Sequence, residues 1–278
     1  MSLPALGSTS GWSGGEATPS AVCVLAPNPG PMTLDGTNTW VLHRPGSPAA
    51  LVVDPGPDDE GHLARVASLV AARGARVSQV LLTHGHLDHS EGAPAFARIA
   101  GCAVVRALDP AHRLGSEGLG EGDVVTAGDL ELRVLATPGH TSDSLSFVVQ
   151  AEAPGERGLL TGDTVLGRGT SVVAHPDGRL GPYLDSLRRL RSAVEVGGVD
   201  RVLPGHGPVL DGARSVLDGY LDHREQRLEQ VREAVAGGAV DPRAVVEVVY
   251  ADVDERLWPA AELSVRAQLE YLNPTPPS

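Results

Sequence analysis

The sequence predicts an α/β fold with two β-sheets and a helical C-terminal appendage. Between residues 49 and 107, apolar strands alternate with segments of helical period, which is typical of a sheet joined by crossover helices. Between residues 123 and 160, four short strands are separated by Gly, Asp and Pro, which indicates a second sheet that is antiparallel or mixed. After residue 210 the apolar spacing becomes helical throughout.

The first half of the chain contains most of the crossover pattern. Strands are predicted over residues 21–27, 38–43, 49–53, 77–82 and 103–107. Helices are predicted over 62–73 and 93–100, because Leu63, Val66 and Val70 recur at helical spacing and Gly74 and Gly101 follow the two segments. The segment between the first two strands is dense in turn-forming residues.

The second half supplies the other sheet and the appendage. Strands are predicted over residues 123–127, 130–136, 144–150, 158–160 and 201–203. Helices are predicted over 182–196, 211–236 and 258–272, with a short one beginning at Asp241-Pro242. We therefore divide the chain into a flexible N-terminus (1–20), a main domain (21–210) and a C-terminal helical domain (211–278).

The composition limits the compartment in which the protein is expected and the partners that it is expected to bind. The 278 residues are 41% hydrophobic and only 3% aromatic, so the core must be aliphatic. A net charge of -13 disfavours a general polyanion binder. The sequence contains no run of 18 apolar residues, so no membrane span is predicted. Cys23 and Cys102 lie in apolar runs and are predicted to be buried thiols in a reducing compartment. All 22 basic residues are Arg, which together with abundant Ala, Gly and Pro suggests a bacterial coding sequence, so the expected location is a bacterial cytoplasm.

The richest chemistry follows the strand at residues 77–82. His84, His86, Asp88 and His89 fall within six residues, in a predicted loop at a strand end, where α/β folds place their functional groups. His84 and His86 can point the same way from an extended segment, while Asp88 and His89 lie where the chain turns. Nothing structural needs this grouping, which favours a site for adjacent metal ions.

Three further loops complete the predicted donor set. His140, Asp163 and His206 each follow a predicted strand and have Gly or Pro neighbours. We assign His84, His86 and His140 to one ion and Asp88, His89 and His206 to a second, with Asp163 bridging them. Imidazole and carboxylate donors suit two Zn²⁺ per chain, with Mn²⁺ or Fe²⁺ as alternatives. The remaining histidines, at 43, 62, 112, 175 and 223, are predicted to be structural or surface residues.

The sequence excludes two competing kinds of site. No Gly-x-Ser-x-Gly nucleophile motif is present, and the chain contains no Lys, which a Walker-type phosphate loop requires.

These motifs resemble those of the metallo-β-lactamase superfamily. The resemblance rests on Thr83-His84-Gly85-His86-Leu87-Asp88-His89, Pro138-Gly139-His140, Gly162-Asp163 and Pro204-Gly205-His206-Gly207, in that order, and covers residues 21–210. It implies a four-layer αββα sandwich with the metals at one edge. True β-lactamases of this fold usually have Cys at the position of Asp163, so antibiotic hydrolysis is not expected.

A narrower resemblance is to the β-lactamase-like protein 2 group. It rests on Asn28 to Thr39, Gly162 to Gly167, Tyr183 to Leu187 and Tyr220-Leu221-Asp222-His223-Arg224. The group carries a C-terminal winged-helix-like domain, and its mitochondrial member is an endoribonuclease that cuts single-stranded RNA. Here the chain leaves little room for a wing after its last helix.

The resemblance implies a metal-dependent hydrolase in which a hydroxide shared by two ions attacks the substrate and catalytic Asp88 orients it or relays its proton. The first expected substrate is a phosphodiester in single-stranded RNA. A thioester or acyl-ester hydrolase of the glyoxalase II type is the alternative, and a non-catalytic metal-binding module is the third reading. The sequence does not fix the oligomeric state, and a homodimer is one state that it allows.

Overall fold

A computed structural model describes residues 11–150 and 156–273, which form two six-stranded sheets packed face to face. The strands of the first sheet are β1 (Gly15–Thr18), β2 (Ala21–Leu25), β3 (Asn38–Leu42), β4 (Ala49–Val53), β5 (Arg76–Leu81) and β6 (Val105–Arg106), in that spatial order. The first four pair antiparallel, and β4, β5 and β6 pair parallel through crossover helices. The predicted alternation of strands and helices is confirmed here.

The second sheet contains the strands predicted from the turn-rich middle of the chain. Its members are β7 (Val124–Ala127), β8 (Leu130–Ala136), β9 (Leu145–Gln150), β10 (Gly158–Gly162), β11 (Arg201–Pro204) and β12 (Leu210–Asp211). The pair β10–β11 is parallel and the others are antiparallel, so the sheet is mixed. Strand β12 was not predicted, because two residues are too few to show an alternating pattern.

The described residues contain seven α-helices, and four of them cover the outer faces of the two sheets. They are α1 (Glu60–Ala72), α2 (Leu87–Ser90), α3 (Ala93–Ala100), α4 (Leu180–Gly197), α5 (Ala213–Ala236), α6 (Pro242–Val249) and α7 (Trp258–Leu272). Helices α1 and α3 pack on the first sheet and α4 and α5 on the second. Trp40, Leu51, Leu132 and Phe147 are among the buried side chains between the sheets. The four-layer αββα sandwich is confirmed.

The predicted flexible N-terminus is wrong for part of its length. Residues 15–18 form edge strand β1, which pairs with β2 through a tight turn, so this segment belongs to the sheet. Four residues containing two polar side chains and a Gly carry too little apolar periodicity to reveal a strand. Residues 1–10 lie outside the described part of the chain.

The C-terminal helices are continuous with the main domain. The first half of α5 packs on α4 through Leu217 and Tyr220, so one core extends across residue 210. The end of α5 joins α6 and α7 in a smaller core around Val231, Val245 and Val265. Asp241 caps α6 by accepting a hydrogen bond from the Ala244 backbone N–H, as its sequence predicts. Between residues 212 and 273 the structure contains helices and turns and no strand, so this stretch has no wing.

No helix in the described residues is long and apolar enough to cross a lipid bilayer. Cys23 and Cys102 are both buried and unpaired with each other, as predicted.

Candidate metal centre

The seven predicted donors converge at one edge of the sandwich. His84 and His86 follow β5, and Asp88 and His89 lie in the single helical turn α2 rather than in the predicted irregular loop. The backbone N–H groups of His89 and Ser90 both bond the His86 carbonyl, which closes this turn. His140 follows β8, Asp163 follows β10 and His206 follows β11. We call these seven residues the ligand cluster.

Among the described residues, three overlapping groups of donors lie close enough to share an ion, and two of them are the groups that the sequence predicts. His84, His86 and His140 form one group, and Asp88, His89 and His206 form another. The third, His84, His89 and Asp163, joins the two. In the first group, His86 Nδ1 lies 3.0 Å from His84 Nε2 and 3.1 Å from His140 Nε2. Nitrogens roughly 2.0–2.1 Å from one tetrahedral Zn²⁺ would be separated by about 3.3 Å. The spacing therefore fits three ligands of one ion.

The second group has similar spacing. His206 Nε2 lies 3.2 Å from His89 Nε2 and 3.2 Å from Asp88 Oδ2. The carboxylate of Asp163 contacts both groups, since its Oδ2 is 3.7 Å from His140 Nε2 and 3.4 Å from His206 Nε2. This is the position that the predicted bridging role requires.

Asp163 also supplies the strongest sign that the cluster is built for a cation. Its Oδ1 atom is buried without a hydrogen-bond partner among the described residues. A buried carboxylate oxygen without a donor is costly, and a metal ion satisfies it. The donor set is therefore a good fit for divalent cations of the Zn²⁺ type.

Every Nδ1 atom on the far side of the cluster is held by a neighbour. His89 Nδ1 donates to Asp54 Oδ2 at 2.9 Å, and His84 Nδ1 contacts Thr83 Oγ1 at 3.0 Å. His140 Nδ1 donates to the Val172 carbonyl at 2.7 Å. His206 Nδ1 likewise donates to the Gly36 carbonyl. Such bonds fix the tautomer and leave the Nε2 lone pair for a metal.

Asp54 is a functional residue that the sequence reasoning missed. It accepts hydrogen bonds from the Thr83 backbone N–H and hydroxyl as well as from His89. It ends β4 at the same sheet edge as the ligand cluster, with a φ of 50° that L-residues rarely adopt. One sequence signal was available for Asp54. It is a carboxylate directly after a strand, and the neighbouring strand carries the His motif.

The charges of the cluster are strongly coupled. Burial opposes charge on Asp163, but His206 and His89 hold its pKa well below the ordinary value. Burial likewise opposes ionisation of Asp88, whose pKa is lowered to about 2 by His89 and His206. Burial disfavours protonation of His89, yet Asp163 and Asp88 raise its pKa to about 9. The carboxylates thus create a potential that favours positive charge at this point.

Close packing of the loops depends on Gly205. A Cβ atom there would lie 2.5 Å from Asp163 Oδ1 and 2.9 Å from His89 Cε1. Only Gly lets the loop after β11 pass this close to the cluster.

A cavity of about 130 Å³ opens from the cluster at His140 and Asp163. Its lining comes from the β2–β3 connection, the loop after β8, the segment after β10, helix α5 and the C-terminal segment. The lining is Pro31, Met32, Leu34, His140, Asp163, Leu166, Thr170, Ser171, Val172, His223, Arg224, Arg227, Tyr250, Val253, Leu257, Ala260, Ala261 and Ser264.

The αββα fold with a His/Asp cluster at its edge defines a class of hydrolases that use divalent metals. Residues 32–206 match the Metallo-beta-lactamase superfamily, and the chain belongs to that superfamily. Residues 242–273 match the Beta-lactamase associated winged helix domain. The predicted family and the hydrolase class are confirmed, so the non-catalytic reading is not retained.

Several relatives are similar over most of the chain. An atrochrysone carboxyl ACP thioesterase of Aspergillus fumigatus is 32% identical, over 87% of this chain and 78% of the relative. A beta-lactamase-like protein 2 homolog of Drosophila melanogaster is 30% identical, over 92% and 88%. A beta-lactamase domain protein from Burkholderia ambifaria, 24% identical, superposes with a TM-score of 0.74 over 98% of this chain and 90% of its own.

Proposed function

We propose that the protein hydrolyses thioesters or esters of small acyl groups at a centre of two divalent cations. The cavity described above carries this proposal, because it opens directly from the ligand cluster at His140 and Asp163. We call it the acyl cavity. Cavities of about 150 Å³ accept a molecule the size of benzene. At about 130 Å³ the acyl cavity suits a chain of roughly four to six carbons or a single ring.

The lining supports an acyl group rather than a polymer. Met32, Leu34, Val172 and Leu257 are among its apolar side chains, and apolar pockets with few polar groups are typical of small-molecule sites. The name of the Aspergillus fumigatus relative, a thioesterase, points the same way. This is the acyl-ester reading that the sequence leaves as the alternative.

Each group of the cluster has a distinct proposed task. His84, His86 and His140 would hold one cation, Asp88, His89 and His206 the other, and Asp163 both. When bound, such cations polarise a substrate oxygen and supply a nucleophile from water. We propose two Zn²⁺ per chain, with Mn²⁺ or Fe²⁺ as alternatives.

Asp88 is the proposed catalytic residue. Its side chain is 29% exposed, whereas those of His89 and His206 are almost fully buried, so it faces the side open to substrate. With a pKa of about 2 it is ionised at neutral pH and can only accept hydrogen bonds. The Thr37 hydroxyl donates to its Oδ2 at 3.2 Å and fixes its orientation. Asp88 can therefore orient an attacking water by accepting a hydrogen bond from it.

Cleavage of single-stranded RNA remains the second proposed function. It is supported by the beta-lactamase-like protein 2 homologs and by the match of residues 242–273 to a winged helix domain. RNA binding usually requires a positive groove with aromatic stacking surfaces. The net charge of -13 and the small volume of the acyl cavity, about 130 Å³, favour the acyl substrate. The buried thiols Cys23 and Cys102 fit the further proposal of a reducing, cytoplasmic location.

The test is an activity screen on protein whose metal content is measured on the same sample. Thioesters of N-acetylcysteamine with acyl chains of two to ten carbons, and a single-stranded RNA oligonucleotide, are assayed side by side. We expect thioester hydrolysis with a maximum near four to six carbons and its loss in Asp88→Ala. Intact thioesters together with metal-dependent RNA cleavage at about two ions per chain would replace the acyl proposal with the RNA one.

A further inference from the structure

The α5 wall of the acyl cavity carries positive charge that the protein does not neutralise. His223, Arg224 and Arg227 line this wall, the first and last one helical turn apart. Within residues 11–150 and 156–273, neither arginine has a carboxylate oxygen within 4.0 Å, although most other arginines there form such ion pairs. Charges removed from water normally have a partner of opposite charge.

Arg224 places the first of these charges beside the ligand cluster. It is 4% exposed, and its Nη2 donates to the carbonyl of Ser171, whose hydroxyl contacts His140 Nδ1. Its guanidinium carbon lies 4.7 Å from the centre of the Tyr183 ring. Its Nε atom has no hydrogen-bond partner among the described residues. Arg224 is therefore a fixed cation behind the cavity wall.

Arg227 places the second charge about 4.5 Å further along the axis of α5. Its guanidinium lies over the Tyr250 ring at 4.3 Å and donates one hydrogen bond, to the Val249 carbonyl. A guanidinium has five N–H donors in a planar fork, so donors remain for a ligand. The stacking holds the fork in place before any ligand arrives.

His223 supplies a neutral hydrogen-bonding group on the same wall. Its Nδ1 atom is buried without a partner among the described residues. Burial, helped by Arg224 and Arg227, lowers the pKa of His223 to about 4. The ring is therefore neutral at pH 7 and offers one N–H donor without adding charge.

We propose that the α5 wall binds a carboxylate on the acyl group of the substrate, with Arg227 and His223 as its hydrogen-bond donors and Arg224 as a nearby cation. This rests on the proposed acyl hydrolysis and specifies its substrate as the half-thioester or half-ester of a short dicarboxylic acid. The scissile carbonyl lies at the ligand cluster, and the distal carboxylate lies along α5. The remaining walls contact only the methylene groups between them.

The first experiment compares two substrates of equal chain length. Glutaryl and pentanoyl thioesters of N-acetylcysteamine differ by the distal carboxylate. Hydrogen bonds to a charged group contribute roughly ten- to a hundredfold. We expect the metal-loaded enzyme to prefer glutaryl by at least tenfold in kcat/KM. Arg227→Gln should abolish the preference by raising KM for glutaryl at least tenfold, and its effect on pentanoyl hydrolysis should be much smaller.

Matched variants separate this role from a structural one. Arg232 lies on the same helix and pairs with Glu229 on the surface, so Arg232→Gln should keep the preference. Arg227→Lys retains the charge and should retain part of the glutaryl preference. His223→Phe should lower that preference by less than Arg227→Gln does. A wild-type enzyme that hydrolyses both thioesters equally, or variants that slow both equally, would overturn the proposal.

A binding measurement separates this proposal from the proposed function. Calorimetry on the metal-loaded protein compares monomethyl glutarate, which carries one carboxylate, with dimethyl glutarate, which carries none. We expect only the monoester to bind, and Arg227→Gln to weaken it roughly tenfold or more. Arg227-dependent binding without thioester hydrolysis would reject the function and keep the anion site. Binding that is equal in wild type and Arg227→Gln would place the carboxylate elsewhere and reject the anion site.

Discussion

The ligand cluster and the α5 wall of the acyl cavity both bury charge, but they balance it in different ways. In the cluster, Asp88 and Asp163 face histidines that take up part of the charge, and the outer nitrogens of the rings have partners of their own. On the α5 wall, Arg224 and Arg227 meet carbonyl oxygens and aromatic rings. The charges of the first region suit a cation, and those of the second suit an anion.

This difference separates chemistry from specificity. The cluster lies on loops that end strands of both sheets, so its geometry follows from the αββα core. The α5 wall lies where the main domain meets the C-terminal helices, so its geometry depends on how α5 and α6 pack. Changes in the cluster should abolish activity on every substrate, whereas changes around the cavity should alter which substrate is used.

The largest effect is expected from Asp163→Asn. The amide keeps the shape of the side chain but removes the charge that contacts both halves of the cluster. We expect metal content per chain to fall and hydrolysis of every acyl substrate to drop by about a thousandfold or more. Asp143→Asn, a change at a nearby carboxylate outside the cluster, is the control and should keep its metal. Full metal content and activity in Asp163→Asn would contradict the bridging assignment.

A smaller loss is expected when the support of the cluster is weakened. Asp54→Asn removes the negative charge that accepts hydrogen bonds from His89 Nδ1 and the Thr83 hydroxyl. Loss of a hydrogen-bond partner of this kind typically lowers metal affinity or activity by roughly ten- to a hundredfold. We expect the metal affinity of Asp54→Asn to fall within that range. Titration with a competing chelator measures the affinity directly. An unchanged affinity would show that His89 is oriented by packing alone.

The sequence predicted these two regions unequally, and the reason is local. His84, His86, Asp88 and His89 share six residues, so their pattern is visible before the fold is known. Asp54 is 30 residues before the first of them and carries no motif of its own. The hydrogen bond to His89 that gives it a role exists only because parallel pairing sets β4 beside β5.

The acyl cavity was harder still to predict, because its wall comes from four separate parts of the chain. His223 was predicted to be a structural or surface residue, since a lone His in a charged helix gives no other signal. Its place beside Arg227 and Tyr250 depends on how α6 packs against the end of α5. Strand alternation and helical period predicted the elements well, but they contain no information about which helix faces meet across a cavity.

A substitution in the acyl cavity tests whether this region controls which substrate is used. Ala260 lines the cavity from α7, and Ala260→Leu would fill part of it. We expect KM for the longest hydrolysed acyl chain to rise about tenfold, because each methylene contributes roughly 1–3 kcal/mol of discrimination. Metal content and the hydrolysis of acetyl thioester should not change. A uniform loss over all chain lengths would mean that α7 supports the cluster rather than the cavity.

The smallest expected effect concerns a buried histidine behind the cluster. His62 Nε2 bonds the Thr39 hydroxyl at 2.8 Å and lies beneath Gly56, whose backbone N–H donates to the His89 carbonyl. Burial, and then the charge of Arg65, lowers the pKa of His62 to about 4.

Between pH 6.5 and 4 the unfolded chain therefore binds more protons at His62 than the folded chain does. The free energy of unfolding should fall as the pH is lowered through that window. His62→Gln cannot take up this proton, so its stability should fall less over the same range of pH. Urea unfolding of both proteins at pH 7 and pH 4 measures the difference. Parallel losses would mean that the ligand cluster, and not its support, dominates the acid sensitivity of the fold.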